Sequence, residues 1–130
     1  MTRYYLDTSV AVHALRGTVP AERWFDEVAA NGVDEFVSSR ILRTELTRVL
    51  RRDAAAVSGR DLIMAHVGTI PVSEAVLTTA ESFADHVKTL DAIHLASALL
   101  VGSETVLVTH DANLARVATN LGLHCHDPVG

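Results

Sequence analysis

The sequence predicts a three-layer α/β domain, in which a parallel sheet of about four to five strands lies between two layers of helices. Short apolar runs typical of buried strands alternate with segments in which apolar residues recur every three or four positions, as on one face of a helix. The chain has 130 residues, of which 48% are hydrophobic, which is enough for one core but not for two. We therefore expect residues 1–130 to form a single domain.

The first half of the chain is predicted to contain two strands and three helices. Ser9 is a favoured N-cap and Pro20 a favoured first helical residue, whereas Gly17 and Gly32 favour helix ends. The predicted strands run from Arg3 to Leu6 and from Asp34 to Ser38. The predicted helices follow Ser9, Pro20 and Ser39, and the third has its apolar stripe at Leu42, Leu46, Val49 and Leu50.

The second half is predicted to contain four helices and three strands. Ser73 caps one helix, and Gly102 and Gly122 end the next two. The β-branched segment from Thr105 to Thr109 is the clearest strand. The remaining elements are a helix with Leu62, Ile63 and Val67 on one face, a strand from Thr69 to Val72, an apolar helix from Ala92 to Val101, a helix with Leu114, Ala115, Val117 and Ala118 on one face, and a strand from Leu123 to His126.

Four acidic residues stand where the hydrophobic pattern changes. Asp7 and Asp111 follow predicted strands, and sites in parallel sheets form outside the carboxyl ends of strands. Asp91 begins the apolar helix, where an unpaired charge is costly, and Glu45 lies at the edge of an apolar stripe. Taken singly, Asp91 fits a helix N-cap and Glu45 a surface pair with Arg48. Taken together, the four acids indicate one cation site.

The chemistry of such a site follows from its ligands. Carboxylates packed together repel one another unless a divalent cation lies between them or some are protonated. Oxygen ligands select hard ions, so we expect Mg²⁺ or Mn²⁺. Such ions activate water for attack on a phosphodiester and stabilise the leaving oxygen. The acids therefore predict hydrolytic phosphodiester cleavage.

The basic residues are concentrated in one segment. The net charge of −5 argues against binding of nucleic acid by bulk electrostatic attraction, so such a ligand needs a local basic group. Five arginines lie between Arg40 and Arg52. Arg48 and Arg52 flank Glu45, and we expect them to bind nucleic-acid phosphates or an acidic partner. Arg40 and Arg51 point away from Glu45 and fit a solvated helix face as well.

The seven histidines permit other interpretations. His124 and His126 face the same side of a predicted strand, as in a zinc or copper site or in an ordinary polar strand end. His94 lies three positions after Asp91, where it either donates a hydrogen bond to a carboxylate or fills a helix face. A ribonuclease with two catalytic histidines and no metal ion is kept as an alternative mechanism.

Missing motifs count against several classes of protein, although a non-enzymatic Mg²⁺-binding module of the receiver type is kept as an alternative. The chain has no Gly-rich phosphate loop, Ser-His-Asp elbow or CxxC pair. A non-enzymatic Mg²⁺-binding receiver domain would have adjacent acids after the first strand and a lysine after a late strand, whereas this chain has Leu6-Asp7-Thr8 and only Lys88. No apolar run approaches the roughly 18 residues of a membrane span, and no leader is recognisable. We expect a cytoplasmic protein that does not contact membranes.

Four short motifs together resemble the PIN-domain nucleases, and most closely the VapC-type toxins of bacterial toxin–antitoxin pairs. The resemblance covers nearly the whole chain, and the third motif is the most specific. The motifs are Leu6-Asp7-Thr8-Ser9, then Ser39 with Glu45, then Leu90-Asp91-Ala92-Ile93-His94-Leu95-Ala96-Ser97-Ala98, and finally Thr109-His110-Asp111.

The resemblance implies a metal-dependent endoribonuclease with a PIN-like fold. It implies that Asp7, Asp91 and Asp111 are the inner metal ligands and that Glu45 binds a second ion or orients the attacking water. The supporting hydroxyls would be those of Thr8, Ser9 and Thr109. Related toxins often carry a further acid where this chain has Asn113, which weakens the case for a second ion. The expected partners are an RNA substrate, a small VapB-type antitoxin and a second copy of the chain.

Overall fold

A parallel sheet of five strands, in the order β3-β2-β1-β4-β5, forms the centre of the computed structural model, which describes residues 1–130. Every neighbouring pair of strands is parallel. The predicted parallel α/β architecture is confirmed. The strands are β1 (Arg3–Leu6), β2 (Glu35–Ser39), β3 (Val67–Ile70), β4 (Val106–Val108) and β5 (His124–His126).

Seven helices cover the two faces of the sheet, as predicted. None of them combines the length and the apolar composition that a membrane crossing requires. The helices are α1 (Thr8–Leu15), α2 (Val19–Asn31), α3 (Ile41–Arg52), α4 (Asp61–Met64), α5 (Glu74–Glu81), α6 (Thr89–Val101) and α7 (Ala112–Asn120), with a 3₁₀ turn (Val57–Arg60) before α4.

The core is divided by the sheet into two layers. Successive side chains of a strand point to opposite faces, so Leu6 of β1 packs with α1 to α4 and Tyr5 packs with α6 and α7. Both side chains are fully buried. Because β1 is the central strand, the residue that follows it emerges at the middle of the carboxyl edge of the sheet. That residue is Asp7.

Helix α6 is the most deeply buried helix. The seven consecutive residues Ala92–Ala98 are all buried, which fits their small and apolar side chains. Two of the seven, His94 and Ser97, are polar and fully buried. Ser97 donates to the carbonyl of Ile93 in the preceding turn, whereas His94 has no partner within its own helix.

The third strand differs from the sequence prediction. It spans Val67–Ile70 and not Thr69 to Val72, and Val67 pairs with Phe36 of β2. Pro71 has no amide hydrogen to donate to the sheet and lies just outside the strand. The fourth helix is correspondingly shorter than predicted and does not include Val67.

Candidate active site

Asp7 lies at the carboxyl end of β1 and is almost completely buried, with 2% of its surface exposed. Its Oδ2 accepts hydrogen bonds from Ser9 Oγ at 2.7 Å and Thr109 Oγ1 at 2.8 Å. The same hydroxyl oxygens accept from the backbone N–H groups of His110 and Asp111. Each hydroxyl thus donates to Asp7 and accepts from the loop after β4. Asp7, and not Ser9 as predicted, is the N-cap of α1.

The other carboxylate oxygen of Asp7 decides how well a cation fits. Oδ1 is buried and has no hydrogen-bond partner in the protein. A buried polar atom without a partner is unfavourable, and an anionic one more so. A cation bound at Oδ1 removes this cost, so Asp7 fits the role of a metal ligand.

Asp111 is both a site residue and a helix cap. It follows β4 and is the N-cap of α7, where its Oδ1 accepts from Leu114 N at 3.0 Å. Its side chain is half-buried and Oδ2 makes no hydrogen bond to the protein. One oxygen of Asp111 therefore stabilises the fold, and the other is available to a ligand.

Asp91 lies in the first turn of α6 but does not cap it. The N-cap is Lys88, which makes no side-chain capping bond. Burial, followed by the charges of Asp7 and Asp111, raises the pKa of Asp91 to about 6. Glu45 adds to this rise and His94 opposes it. The charges of Asp7, Asp111 and Glu45 thus act on Asp91, and the prediction of one cation site formed by the four acids stays a prediction.

Glu45 lies on α3, and its partners are not those that its local sequence indicated. Its Oε1 accepts from Thr8 Oγ1 at 2.7 Å and is 2.6 Å from His94 Nε2. No ion pair with Arg48 forms. The alternative of an isolated surface pair is therefore wrong, and Glu45 is turned toward the acids and Thr8.

His94 connects this carboxylate to the core. Its Nδ1 lies 2.8 Å from the Tyr5 hydroxyl, and its Nε2 also lies 3.1 Å from Thr8 Oγ1. Burial lowers the pKa of His94, but the hydrogen bond to Glu45 and the nearby carboxylates outweigh burial and leave the pKa above its usual value. The expectation that His94 donates to a carboxylate is confirmed. Sequence reasoning missed Tyr5, although a buried tyrosine hydroxyl usually has a partner.

Comparison with known proteins identifies the family of the chain. The family described as "PIN domain" matches residues 4–120, a span that contains all four acids. The chain belongs to the PIN-domain family. It is 30% identical over 128 residues to proteins named ribonuclease VapC35 from two strains of Mycobacterium tuberculosis, with 92% of each chain covered. The family resemblance inferred from the four motifs is confirmed.

Solved structures share the fold of this PIN domain. A crystal structure of VapBC2 from Rickettsia felis, bound to a DNA fragment from its promoter, matches with a TM-score of 0.74 and 16% identity over 97% of this chain and 98% of that one. A toxin–antitoxin complex from Klebsiella pneumoniae matches with a TM-score of 0.67 and 17% identity over 86% and 89% of the two chains. At these identities the matches establish the fold.

A cleft of about 260 Å³ lies beside Glu45 of the PIN domain. Its walls include Thr8, Arg48, Arg52 and the exposed Leu90. Both arginine side chains are exposed and neither forms a salt bridge within the chain. The structure thus brings the two predicted contact residues to the rim of the site, where their charges are available to an anionic ligand.

Asn113 is not joined to the acids by any hydrogen bond. It is exposed on α7, where its amide donates to the His86 carbonyl at 3.2 Å and its side-chain oxygen accepts from Arg116. No three His, Cys, Asp or Glu side chains converge closely enough to ligate one ion by themselves. Mg²⁺ is compatible with this spacing because it retains several waters and needs only one or two carboxylates.

The remaining histidines form no catalytic or metal cluster. The His126 ring packs against Trp24 with centroids 5.5 Å apart, and the zinc or copper interpretation of His124 and His126 has no further ligands. The rings of His13 and His110 lie edge to face, with centroids 5.1 Å apart. Rings in such contact leave no room for a phosphodiester between them, which counts against a mechanism that uses these two histidines.

Proposed function

We propose that this PIN-domain protein is an endoribonuclease that depends on Mg²⁺ or Mn²⁺ and is the toxin of a toxin–antitoxin pair. Its 30% identity to proteins named ribonuclease supports nuclease activity. The observation that carries the metal dependence is the buried, unpartnered Oδ1 of Asp7. The raised pKa of Asp91 beside it indicates a cluster whose charges oppose one another without a cation.

Each part of the site has a role in the proposed reaction. Asp7, Asp91 and Asp111 would hold an ion in part through its retained waters, and that ion would supply a water of lowered pKa and neutralise charge on the phosphate. Glu45 contributes to ion binding and orients the attacking water through the carboxylate oxygen that is not bound to Thr8. The hydroxyls of Ser9 and Thr109, shown above to fix Asp7, keep its free oxygen directed into the site.

The substrate and partner are proposed on separate grounds. Arg48 and Arg52 provide cations at the rim of the cleft, where they bind RNA phosphates on either side of the scissile bond. The matched structures are a VapBC2 complex and a toxin–antitoxin complex, which supports a VapB-type antitoxin as the partner. We also propose that the chain forms a homodimer.

The chemistry of the RNA ends tests the mechanism. Purified protein is incubated with a defined RNA in Mg²⁺, in Mn²⁺ and in EDTA, with Asp7→Asn as the inactive control. Attack by water leaves 3′-hydroxyl and 5′-phosphate ends, and we expect these only when metal is present. Full activity in EDTA with 2′,3′-cyclic phosphate ends would overturn the metal mechanism and favour a pair of histidines.

Expression tests the toxin assignment. We expect the parent chain to arrest growth of the host cell, the Asp7→Asn variant to be tolerated, and the product of an adjacent gene to co-purify with the chain. Size-exclusion chromatography with light scattering then reports the mass of the complex. If cells tolerate the active parent and no neighbouring gene product binds it, the toxin assignment fails while nuclease activity is judged by the RNA ends.

A further inference from the structure

His94 is fully buried, yet both of its ring nitrogens are engaged outside its own helix. We propose that His94 is a positioning residue that holds the Glu45 carboxylate in its working orientation, and that Tyr5 in turn orients the His94 ring. The proposal rests on the nuclease function proposed above, and it adds two residues that touch neither substrate nor metal to those that the reaction requires.

The hydrogen-bond partners determine where the protons lie. A carboxylate only accepts hydrogen bonds, so at 2.6 Å from Glu45 Oε1 the His94 Nε2 carries a hydrogen. Thr8 Oγ1 donates its hydrogen to the same Glu45 oxygen. In its weaker 3.1 Å contact with His94 Nε2, Thr8 Oγ1 is therefore the acceptor. In the neutral ring, Nδ1 accepts from the Tyr5 hydroxyl at 2.8 Å. Tyr5 thereby favours the neutral tautomer that donates to Glu45, and in the protonated ring Nδ1 donates to the Tyr5 oxygen while Nε2 still donates to Glu45.

The hydrogen bonds from Thr8 and His94 constrain the Glu45 side chain more than its own helix does. A glutamate side chain has three rotatable bonds, and α3 places this one only 19% exposed at the edge of the site. Thr8 and His94 both bind Oε1, which leaves Oε2 as the oxygen available for water or metal. Without the His94 donor, Thr8 alone restrains the carboxylate.

The arrangement also fixes the acids relative to one another. Thr8 directly follows Asp7, and His94 lies one helical turn after Asp91. The hydrogen bonds of one Glu45 oxygen therefore connect α3 to the two segments that carry Asp7 and Asp91. Catalysis is sensitive to small displacements of such groups, with losses of about a hundredfold for 1 Å.

Three variants test the proposal in RNA cleavage kinetics. His94→Leu fills the space without a donor, His94→Gln supplies an amide that can donate to Glu45, and Leu95→Ala removes a fully buried neighbour as a control for lost stability. We expect kcat to fall at least tenfold in His94→Leu with KM nearly unchanged, and His94→Gln to recover most of that loss. Equal kcat in the leucine and glutamine variants, or a loss in His94→Leu no greater than in Leu95→Ala, would overturn the proposal.

A double-mutant cycle with Glu45→Gln gives a readout that does not depend on turnover. The quantity measured is the rise in melting temperature of each protein between EDTA and millimolar Mg²⁺. We expect His94→Leu to reduce this rise in the parent background and to have no further effect when Glu45 is already glutamine. Additive effects of the two substitutions would show that His94 does not act through Glu45.

The two readouts separate failure of this proposal from failure of the proposed function. If the parent cleaves RNA in EDTA, the metal assignment is wrong and the kcat comparison still decides the role of His94. If the parent binds Mg²⁺ but cleaves no RNA, the nuclease assignment is wrong, and the double-mutant cycle still decides whether His94 acts through Glu45.

Discussion

Replacing Asp91 by asparagine should stabilise the metal-free protein while abolishing RNA cleavage. The pKa of Asp91 rises from 3.8 to about 6, because its ionised form is disfavoured by burial and by Asp7 and Asp111. At about 1.4 kcal/mol for each pKa unit, the ionised form would cost ~3 kcal/mol at neutral pH. Since the side chain is only half-buried, solvent screening reduces the cost to about 1 kcal/mol. Asparagine removes the charge and keeps nearly the same shape.

Two effects that would lower the stability of Asp91→Asn, loss of a helix cap and loss of a favourable interaction with the helix dipole, are smaller than this gain. Asp91 is not the N-cap of α6, so its substitution removes no capping bond. An acid in the first turn of a helix gains roughly 0.3–1 kcal/mol from the helix dipole, which asparagine loses. Glu74→Gln, in the exposed first turn of α5, is the matched control, because it loses the dipole term without relieving repulsion. We expect it to leave the stability unchanged or slightly lower.

Thermal melts of the three proteins in EDTA and in millimolar Mg²⁺ measure the effect. A gain of about 1 kcal/mol raises the melting temperature of a domain of this size by roughly 3–5 °C. A ligand at a hundredfold excess over Kd stabilises the folded state by about 2.7 kcal/mol, and Asp91→Asn should lose much of that gain. If the variant is instead destabilised by about 1 kcal/mol without metal and responds to Mg²⁺ as the parent does, Asp91 is structural and the site assignment built on it is wrong.

Three further predictions follow from the same geometry. Asp91 binds its proton more tightly in the folded protein than in the unfolded chain, so protonated Asp91 stabilises the fold fully below about pH 4 and this contribution is lost as the pH rises to about 6. Urea titrations in EDTA should therefore show an additional decrease in unfolding free energy over this pH range in the parent and not in Asp91→Asn. Arg48→Gln and Arg52→Gln should each weaken RNA binding and reduce by about 0.7 the slope of the logarithm of the RNA association constant against the logarithm of salt concentration. Arg43 is exposed on the same helix outside the cleft, so Arg43→Gln should have neither effect; binding titrations at several salt concentrations decide this. Thr109→Val keeps the side-chain shape but removes a donor to a buried carboxylate, and should cost about 1–3 kcal/mol of unfolding free energy; an unchanged urea midpoint would contradict the hydrogen bond assigned here.

The positions of Asp7 and Asp111 could be predicted from the sequence because both depend on local patterns. Each acid ends a short apolar run, and the carboxyl ends of parallel strands lie at one edge of a sheet. The start of α6 was harder to predict, because Lys88, Thr89 and Asp91 are all possible first residues of an apolar helix. Which of them caps it depends on how the preceding loop packs.

The partner of Glu45 could not be predicted from local spacing. Arg48 is its neighbour on α3, but an exposed pair of this kind contributes only a few tenths of a kcal/mol. The charge-assisted bond from His94 is partly buried and stronger, and it joins residues 49 positions apart. Strand alternation indicates that Tyr5 faces the second helical layer, but the rotation of α6 that brings His94 to it depends on packing across the whole sheet.

The hydrogen bond between Asp7 and Thr109 spans 102 positions of the chain, and it determines when the site can form during protein synthesis. In the finished sheet β1 lies between β2 and β4, and β4 comes after helices α1 to α6 in the chain. While the chain emerges from the ribosome, one edge of β1 therefore has no partner strand until β4 is complete. Asp111 is exposed from the ribosome still later. A nascent chain therefore carries an incomplete set of the four acids for most of its translation, and chains released before β4 emerges lack the Thr109 hydroxyl that fixes Asp7. Under the toxin function proposed above, the cell has nearly the whole synthesis time of each molecule before that molecule must be restrained.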